Sequence, residues 1–156
     1  TTDEAWSFAT DKIEYATDSV HLQDWPSAPA EWANAEAEAD VATLLRMRVQ
    51  VNEALEPARQ AGHIGKSLDA AVTIAVAADD TGFQVLKKYH DFLPELFIVS
   101  HVTLTAGAGT PPGVSVRPAQ ELGHVRCPRC WRWVPTLENT AHGDVCPRCV
   151  QALSLI

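Results

Sequence analysis

The chain lacks most of the features that would fix a chemistry at first reading. It has no apolar run long enough to cross a bilayer and no targeting segment, so no membrane partner is expected and the cytoplasm is the default compartment. No internal repeat or low-complexity tract is present. No Ser/His/Asp or Cys/His order has a supporting context, and no glycine-rich phosphate loop follows a strand. A basic excess is missing too: 12 Lys and Arg stand against 20 Asp and Glu, a net charge of -8, which argues against a broad positive field for nucleic acid. Cysteine is scarce, with four in 156 residues.

Those four are placed with purpose. They form Cys127-Pro128-Arg129-Cys130, a gap of 15 residues, and Cys146-Pro147-Arg148-Cys149. Two thiolates two residues apart can turn toward one metal ion, and a second pair completes a tetrahedron with sulfurs at about 2.3 Å. Pro128 and Pro147 suit the tight bends. The spacing favours one structural zinc ion on Cys127, Cys130, Cys146 and Cys149 over two disulfides, a redox pair or an iron site; disulfides would need an oxidising compartment. Four protein thiolates leave no open position for water or substrate, so the metal is expected to hold the fold rather than to catalyse.

With 46% hydrophobic and 21% charged residues, the chain suits one core plus a small satellite. Residues 1–40 hold ten acids and one base, 41–116 seven acids and six bases, and 117–156 three acids and five arginines. The acidity is therefore concentrated at the start, and any polyanion contact near the cysteines must come from placed arginines. Thr1 to Ala9 reads as a helix with acids in its first turn, as if ending something longer. Ser19 to Pro26 reads as extended, and Trp6 and Trp25 as packing residues. A long helix is expected from Pro29 to Gln60, with Val41, Leu44, Val51, Leu55 and Ala58 on its apolar face, a kink or early end at Pro57, and Gly62 as stop. Arg46, Arg48 and Arg59 decorate its other faces, either paired with Glu53 and Glu56 or available to phosphate. Strands are expected at Ala70–Ala77, Leu96–Leu104 and Val114–Val116, the last two joined as a hairpin by the Gly107–Gly113 turn. A helix over Phe83–Leu93 ends at Pro94. The class is α+β: helical residues 1–62, a small α+β connector at 63–118, and a zinc finger or ribbon at 119–156.

Arg126, Arg129, Arg132 and Arg148 crowd the cysteine pairs, with Trp131 and Trp133 interleaved. Arginine beside an exposed aromatic holds phosphates while stacking on unpaired bases. The competing reading buries the tryptophans in the small core and leaves the arginines for solubility. His124 and His142, flanking the cysteine pairs, are expected at the surface or behind the ligands.

Cys127-Pro-Arg-Cys-Trp131 followed by Cys146-Pro-Arg-Cys149 resembles the C-terminal zinc finger of bacterial isoleucyl-tRNA synthetases. Upstream, Thr2-Asp-Glu-Ala-Trp6, Ser19-Val-His-Leu-Gln-Asp-Trp-Pro26, Val51-Asn-Glu-Ala-Leu-Glu56, Ala58-Arg59, Ile64-Gly-Lys-Ser-Leu68 and Leu96-Phe-Ile-Val-Ser100 occur in the family's order. The resemblance implies part of a cytoplasmic class I enzyme that joins isoleucine to its tRNA with ATP, monomeric when whole. This piece would be the end of the anticodon-binding domain, the connector and the finger, with tRNA(Ile) and the rest of the synthetase as partners. The catalytic and editing domains, and with them the ATP site, are absent from it. His63-Ile64-Gly65 resembles half of a class I nucleotide signature, but Lys66 replaces the second histidine and no catalytic role is expected. The resemblance carries over the four cysteines as zinc ligands, and Arg129, Trp131 and Arg132 as RNA contacts on the anticodon side. The tail Gln151 to Ile156 lacks the basic end of some relatives.

Two other readings stand beside this one. The same type of finger terminates a family of bacterial DNA glycosylases, which place an arginine and a threonine on the hairpin between the pairs; here Val134 to Asp144 has no arginine. Alternatively, the finger is a purely intramolecular clamp, in which case Trp131 and Trp133 need no exposure.

Overall fold

The computed structural model describes residues 2–9, 18–77, 80–106 and 113–155. Its helices are α1 (Thr2–Ser7), α2 (Ala35–Gln60), α3 (Thr81–Lys88), α4 (Leu93–Leu96) and α5 (Pro147–Leu153). Its strands are β1 (Ala70–Val76), β2 (His101–Ala106), β3 (Gly113–Pro118), β4 (Val125–Arg126), β5 (Trp133–Val134), β6 (Glu138–Thr140) and β7 (Gly143–Val145). Two compact units result, Thr1–Ala35 and Glu36–Ile156.

In the first unit α1 carries Asp3 and Glu4 in its first turn, as expected, and Ser19 Oγ donates to Asp3 Oδ1 at 2.8 Å. The segment expected to be extended instead forms a 3-10 turn at Val20–Leu22, capped by Ser19. Trp6 is half-buried, but Trp25 is 95% exposed, contrary to its expected packing role. The reason is physical: no described residue of Thr1–Ala35 is buried, so there is no apolar layer to receive a large ring.

The second unit is built on β1. Its run is Ala, Val and Ile apart from Thr73, with buried residues on both faces, and it lies in the middle of a sheet ordered β2-β1-β3. Pairing is parallel to β2 (Val72 opposite Val102) and antiparallel to β3 (Val72 opposite Val116). The expected hairpin between the second and third strands is therefore not formed, because β1 separates them. Residues 107–112 of its proposed turn lie outside the described residues. A parallel pair needs a crossover, and α3, a 3-10 turn at His90–Phe92 and α4 supply it.

The second expected strand also starts later than Leu96, since Leu96 closes α4. Pro94 does not stop a helix here; it sits in the first turn of α4, where its missing N–H costs nothing. Likewise α2 begins at Ala35 and not Pro29. The prolyl segment takes only a 3-10 turn at Ala30–Trp32 before Ala33 returns to extended backbone. At its other end α2 runs past Pro57 to Gln60, so the early end is not seen. Gly62 then stops it at φ 73, with Gly62 N–H bonded to Arg59 O and His63 N–H to Ala58 O.

Leu44, Val51 and Leu55 of α2 bury against Val72, Ile74, Leu86, Leu93 and Phe97, each large side chain contributing about 1.5–3 kcal/mol. Ala58 packs at the margin of this core, while Val41, expected on the same face, is 48% exposed. Asp40 is buried instead, because Lys88 Nζ reaches its carboxylate at 2.7 Å and Tyr89 OH at 3.1 Å. The Lys88 hydrogen bond outweighs burial and holds the Asp40 carboxyl below its ordinary range.

Ile98 follows α4 at φ 57, where Ile98 N–H bonds to Glu95 O and Val99 N–H to Pro94 O. This is the helix-ending motif that usually takes glycine, occupied by a β-branched residue that is 53% exposed. Ile98→Gly is accordingly expected to raise stability by about 1 kcal/mol in a denaturant titration. A loss of stability would show that contacts of the Ile98 side chain outweigh the backbone strain.

Candidate metal centre

The first cysteine pair lies in the loop between β4 and β5, which pair antiparallel through Val125 with Val134 and Arg126 with Trp133. Cys127 N–H donates to Arg132 O and Trp131 N–H to Cys127 O, both at 2.9 Å, closing the loop on itself. The second pair is built differently. After the β6–β7 hairpin, Cys146 caps α5, Pro147 takes its first position and Cys149 lies in its first turn.

All four sulfurs lie within 4.8 Å of one another, so the group could hold a metal ion. Cys127 Sγ is 3.9 Å from Cys149 Sγ, and Cys130 Sγ is 3.6 Å from Cys146 Sγ. Tetrahedral bonds of about 2.3 Å require edges of roughly 3.8 Å, whereas a disulfide requires about 2.0 Å. The geometry fits a tetrathiolate and the thiols are free. Burial drives the Cys127 thiol up, but N–H groups of Cys130, Cys146 and Arg129 aimed at its sulfur win and bring it down to about 6. Burial and the neighbouring sulfurs push Cys130 up to about 12, and burial raises Cys146 as well. One backbone-cradled thiolate among reluctant neighbours is an arrangement that a cation completes.

The apolar content around the sulfurs is small. Among its described residues the buried cluster is Cys127, Val145, Cys146 and Cys149, with Cys130, Val134, Leu137, Val150 and Leu153 partly covered around them. Three of its four buried residues are ligand candidates themselves.

A seam joins the module to the sheet. Asp69, in the 3-10 turn before β1, accepts from Gly65 N–H at 3.2 Å and Lys66 N–H at 2.8 Å through one carboxylate oxygen, and from Trp133 Nε1 at 3.1 Å through the other. Burial raises its carboxyl, but these donors and the Arg126 charge more than offset that and leave it below the ordinary range. Ser100 Oγ accepts from Trp133 N–H at 2.7 Å and donates to Leu68 O. Glu95 of α4 faces two arginines, Arg148 at 3.1 Å and Arg132 at 3.7 Å.

The arginines and tryptophans read as one set from sequence are thus divided. Trp133, Arg132 and Arg148 engage the seam, and Trp133 is half-buried there. Arg126 and Arg129 are exposed. Trp131 is half exposed and lies in neither apolar cluster. Its backbone stands at φ 66, and its ring meets Lys66 Nζ at 4.6 Å and Arg126 Cζ at 5.7 Å from the centroid. On α2, Arg46 is exposed and donates to Thr43 Oγ1, Arg48 is half-buried, and Arg59 pairs with Glu56 as expected. His142 is exposed, and His124 packs edge-on against His101, their centroids 5.6 Å apart.

Residues 1–74 match the family described as the anticodon-binding domain of tRNA ligase. Over 157 residues the chain is 37% identical to the isoleucine–tRNA ligase of Brachyspira hyodysenteriae, covering 98% of this chain and 17% of that protein. It is 40% identical over 140 residues to that of Thermotoga maritima, covering 86% and 15%. It is 34% identical over 165 residues to that of Geobacter sulfurreducens, covering 98% and 17%. The chain belongs to the isoleucine–tRNA ligase family. It spans about a sixth of the length of these relatives, which are class I aminoacyl-tRNA synthetases. No described helix is long and apolar enough to cross a membrane.

Sequence reasoning missed Asp69, Ser100, Glu95 and Lys66 as site residues. Within this ligase segment a carboxylate two residues after Lys66-Ser67 would signal a local turn, which Asp69 does form, but nothing local signals its bond to a tryptophan 64 positions away. Asp69→Ala is expected to loosen the seam, costing about 2 kcal/mol in denaturant titration and shifting Trp133 emission to the red. Because the folded carboxyl lies below 3.8, its contribution is complete above that pH and fades only as pH falls through the lowered value. Unchanged stability and emission in the variant would remove Asp69 from the docking account.

Proposed function

We propose that this chain is a non-catalytic, tRNA-binding part of a cytoplasmic isoleucine–tRNA ligase. A single structural zinc ion on Cys127, Cys130, Cys146 and Cys149 orders a surface that contacts tRNA(Ile) on the anticodon side. In the whole enzyme, isoleucine and ATP would be handled by domains outside this segment, and the rest of the synthetase is its partner in cis. Sulfur spacing, the all-thiolate donor set and family membership support zinc over iron or disulfides.

The observation that carries RNA contact is the Trp131 ring. Its left-handed backbone would be easiest for glycine, so a tryptophan there carries a folding cost of about 1–2 kcal/mol. Half its surface stays in solvent, so core packing does not offset that cost. Stacking on an unpaired base, about 1–3 kcal/mol, accounts for the residue, with Arg126 and Arg129 exposed nearby for phosphate. Trp133, Arg132 and Arg148 act as the intramolecular clamp; both roles coexist on different side chains. DNA insertion by the β6–β7 hairpin is disfavoured, since its exposed acids Glu138 and Asp144 would meet the phosphates.

Elemental analysis is expected to find one zinc per chain. Chelation is expected to unfold the region after about Arg117, leaving α2 and its helical circular dichroism in place. Zinc-free protein prepared without chelator would overturn the assignment. Trp131→Gly is expected to keep zinc content and thermal stability, or to gain stability, while tRNA(Ile) affinity falls about tenfold. Unchanged affinity in that variant would leave only the clamp.

A further inference from the structure

Lys66 lies in the turn between α2 and β1, outside the cysteine module, yet its ammonium rests 4.6 Å from the centroid of the Trp131 ring. Its place there is built. The carboxylate of Asp69 fixes the Lys66 backbone through the 2.8 Å bond to its N–H and, through the other oxygen, holds the indole of Trp133. Arg126 approaches the Trp131 ring from the module's own strand β4, at 5.7 Å. Both cations are exposed, and their partner ring is half exposed. Two cations from different parts of the unit therefore converge on one aromatic surface beside the seam.

We propose that Lys66, Arg126 and Trp131 form a composite site for one unpaired nucleotide of RNA, with the base on the indole and the flanking phosphate on Lys66. The inference rests on the reading of Trp131 as an RNA-facing residue. In the free protein the Lys66 ammonium occupies the ring, whose electron-rich face attracts a cation. The contact at an exposed ring is weak, and the lysine stem is flexible with three donors at its tip. A phosphate draws the ammonium away and bares the ring, and base stacking is the stronger contact to gain. Lys66 thus keeps the platform oriented and positive until RNA replaces it. The overall charge of -8 does not oppose this, because the site needs two placed cations and no extended positive field.

The test uses the zinc-loaded 156-residue chain and a tRNA(Ile) transcript, titrated at several salt concentrations. Lys66→Gln is expected to weaken binding about three- to tenfold at low salt and to lower the slope of log K against log salt by about 0.7–0.9, one phosphate contact. Lys66→Arg is expected to restore the slope, and both variants to keep zinc content and melting temperature. Unchanged affinity and slope in Lys66→Gln, with binding lost in Trp131→Gly, would overturn this inference and leave the proposed function standing. A lower melting temperature in Lys66→Gln with no change of slope would make Lys66 a structural clasp and also overturn it. No effect of either variant on binding would overturn both readings.

Discussion

The carboxylate of Asp69 is the constraint on which the arrangement of this unit depends. One side chain collects two backbone donors from its own turn and an indole donor from the cysteine module, and these donors hold its carboxyl below the ordinary range. A charged acceptor with three donors is strongly held, and it leaves little freedom for the module to rotate against the sheet. Ser100 and Glu95 extend the same seam with a hydroxyl bridge and an arginine pair. Arg126, Arg129 and Trp131 stay exposed beside it.

The cysteine cluster, which could hold a metal ion, and the seam are the two features that tie down a module with little apolar burial. Among its described residues Val145 is the one buried aliphatic side chain in the cysteine cluster, so the module leans on its attachment to a larger neighbour. The neighbour is substantial, with Leu55, Ile74, Leu86, Leu93 and Phe97 all fully buried. A tethered module of this kind can present residues that are poor for its own folding, as the backbone of Trp131 shows.

Much of this was legible in the sequence where a local rule had no competitor. Paired cysteines two residues apart admit few uses, β1 is apolar apart from Thr73, and Gly62 ends a helix by the backbone conformation that glycine takes freely. The α+β class followed from these elements. Legibility failed where one residue type serves two positions: Pro94 and Pro29 could each start or stop a helix, and the structure uses the former inside α4 and the latter before α2. Strand order was out of reach because the pairing of β1 with both β2 and β3 is long-range and no local pattern encodes it. The division of Trp131 from Trp133 was equally hidden, since it turns on one backbone angle and on an aspartate 64 residues upstream of Trp133.

The central position of β1 has a consequence for synthesis. Its second edge is closed by β3, and the residues of β3 leave the ribosome about 40 positions after β1. Until then a strand apolar but for Thr73, with one open ladder, is displayed by the nascent chain, a ready template for pairing with another chain. Ala119, fully buried, follows directly, so the edge is capped before the second cysteine pair, Cys146 and Cys149, has been made. A nascent chain interrupted between the two strands is the form of this protein most exposed to aggregation.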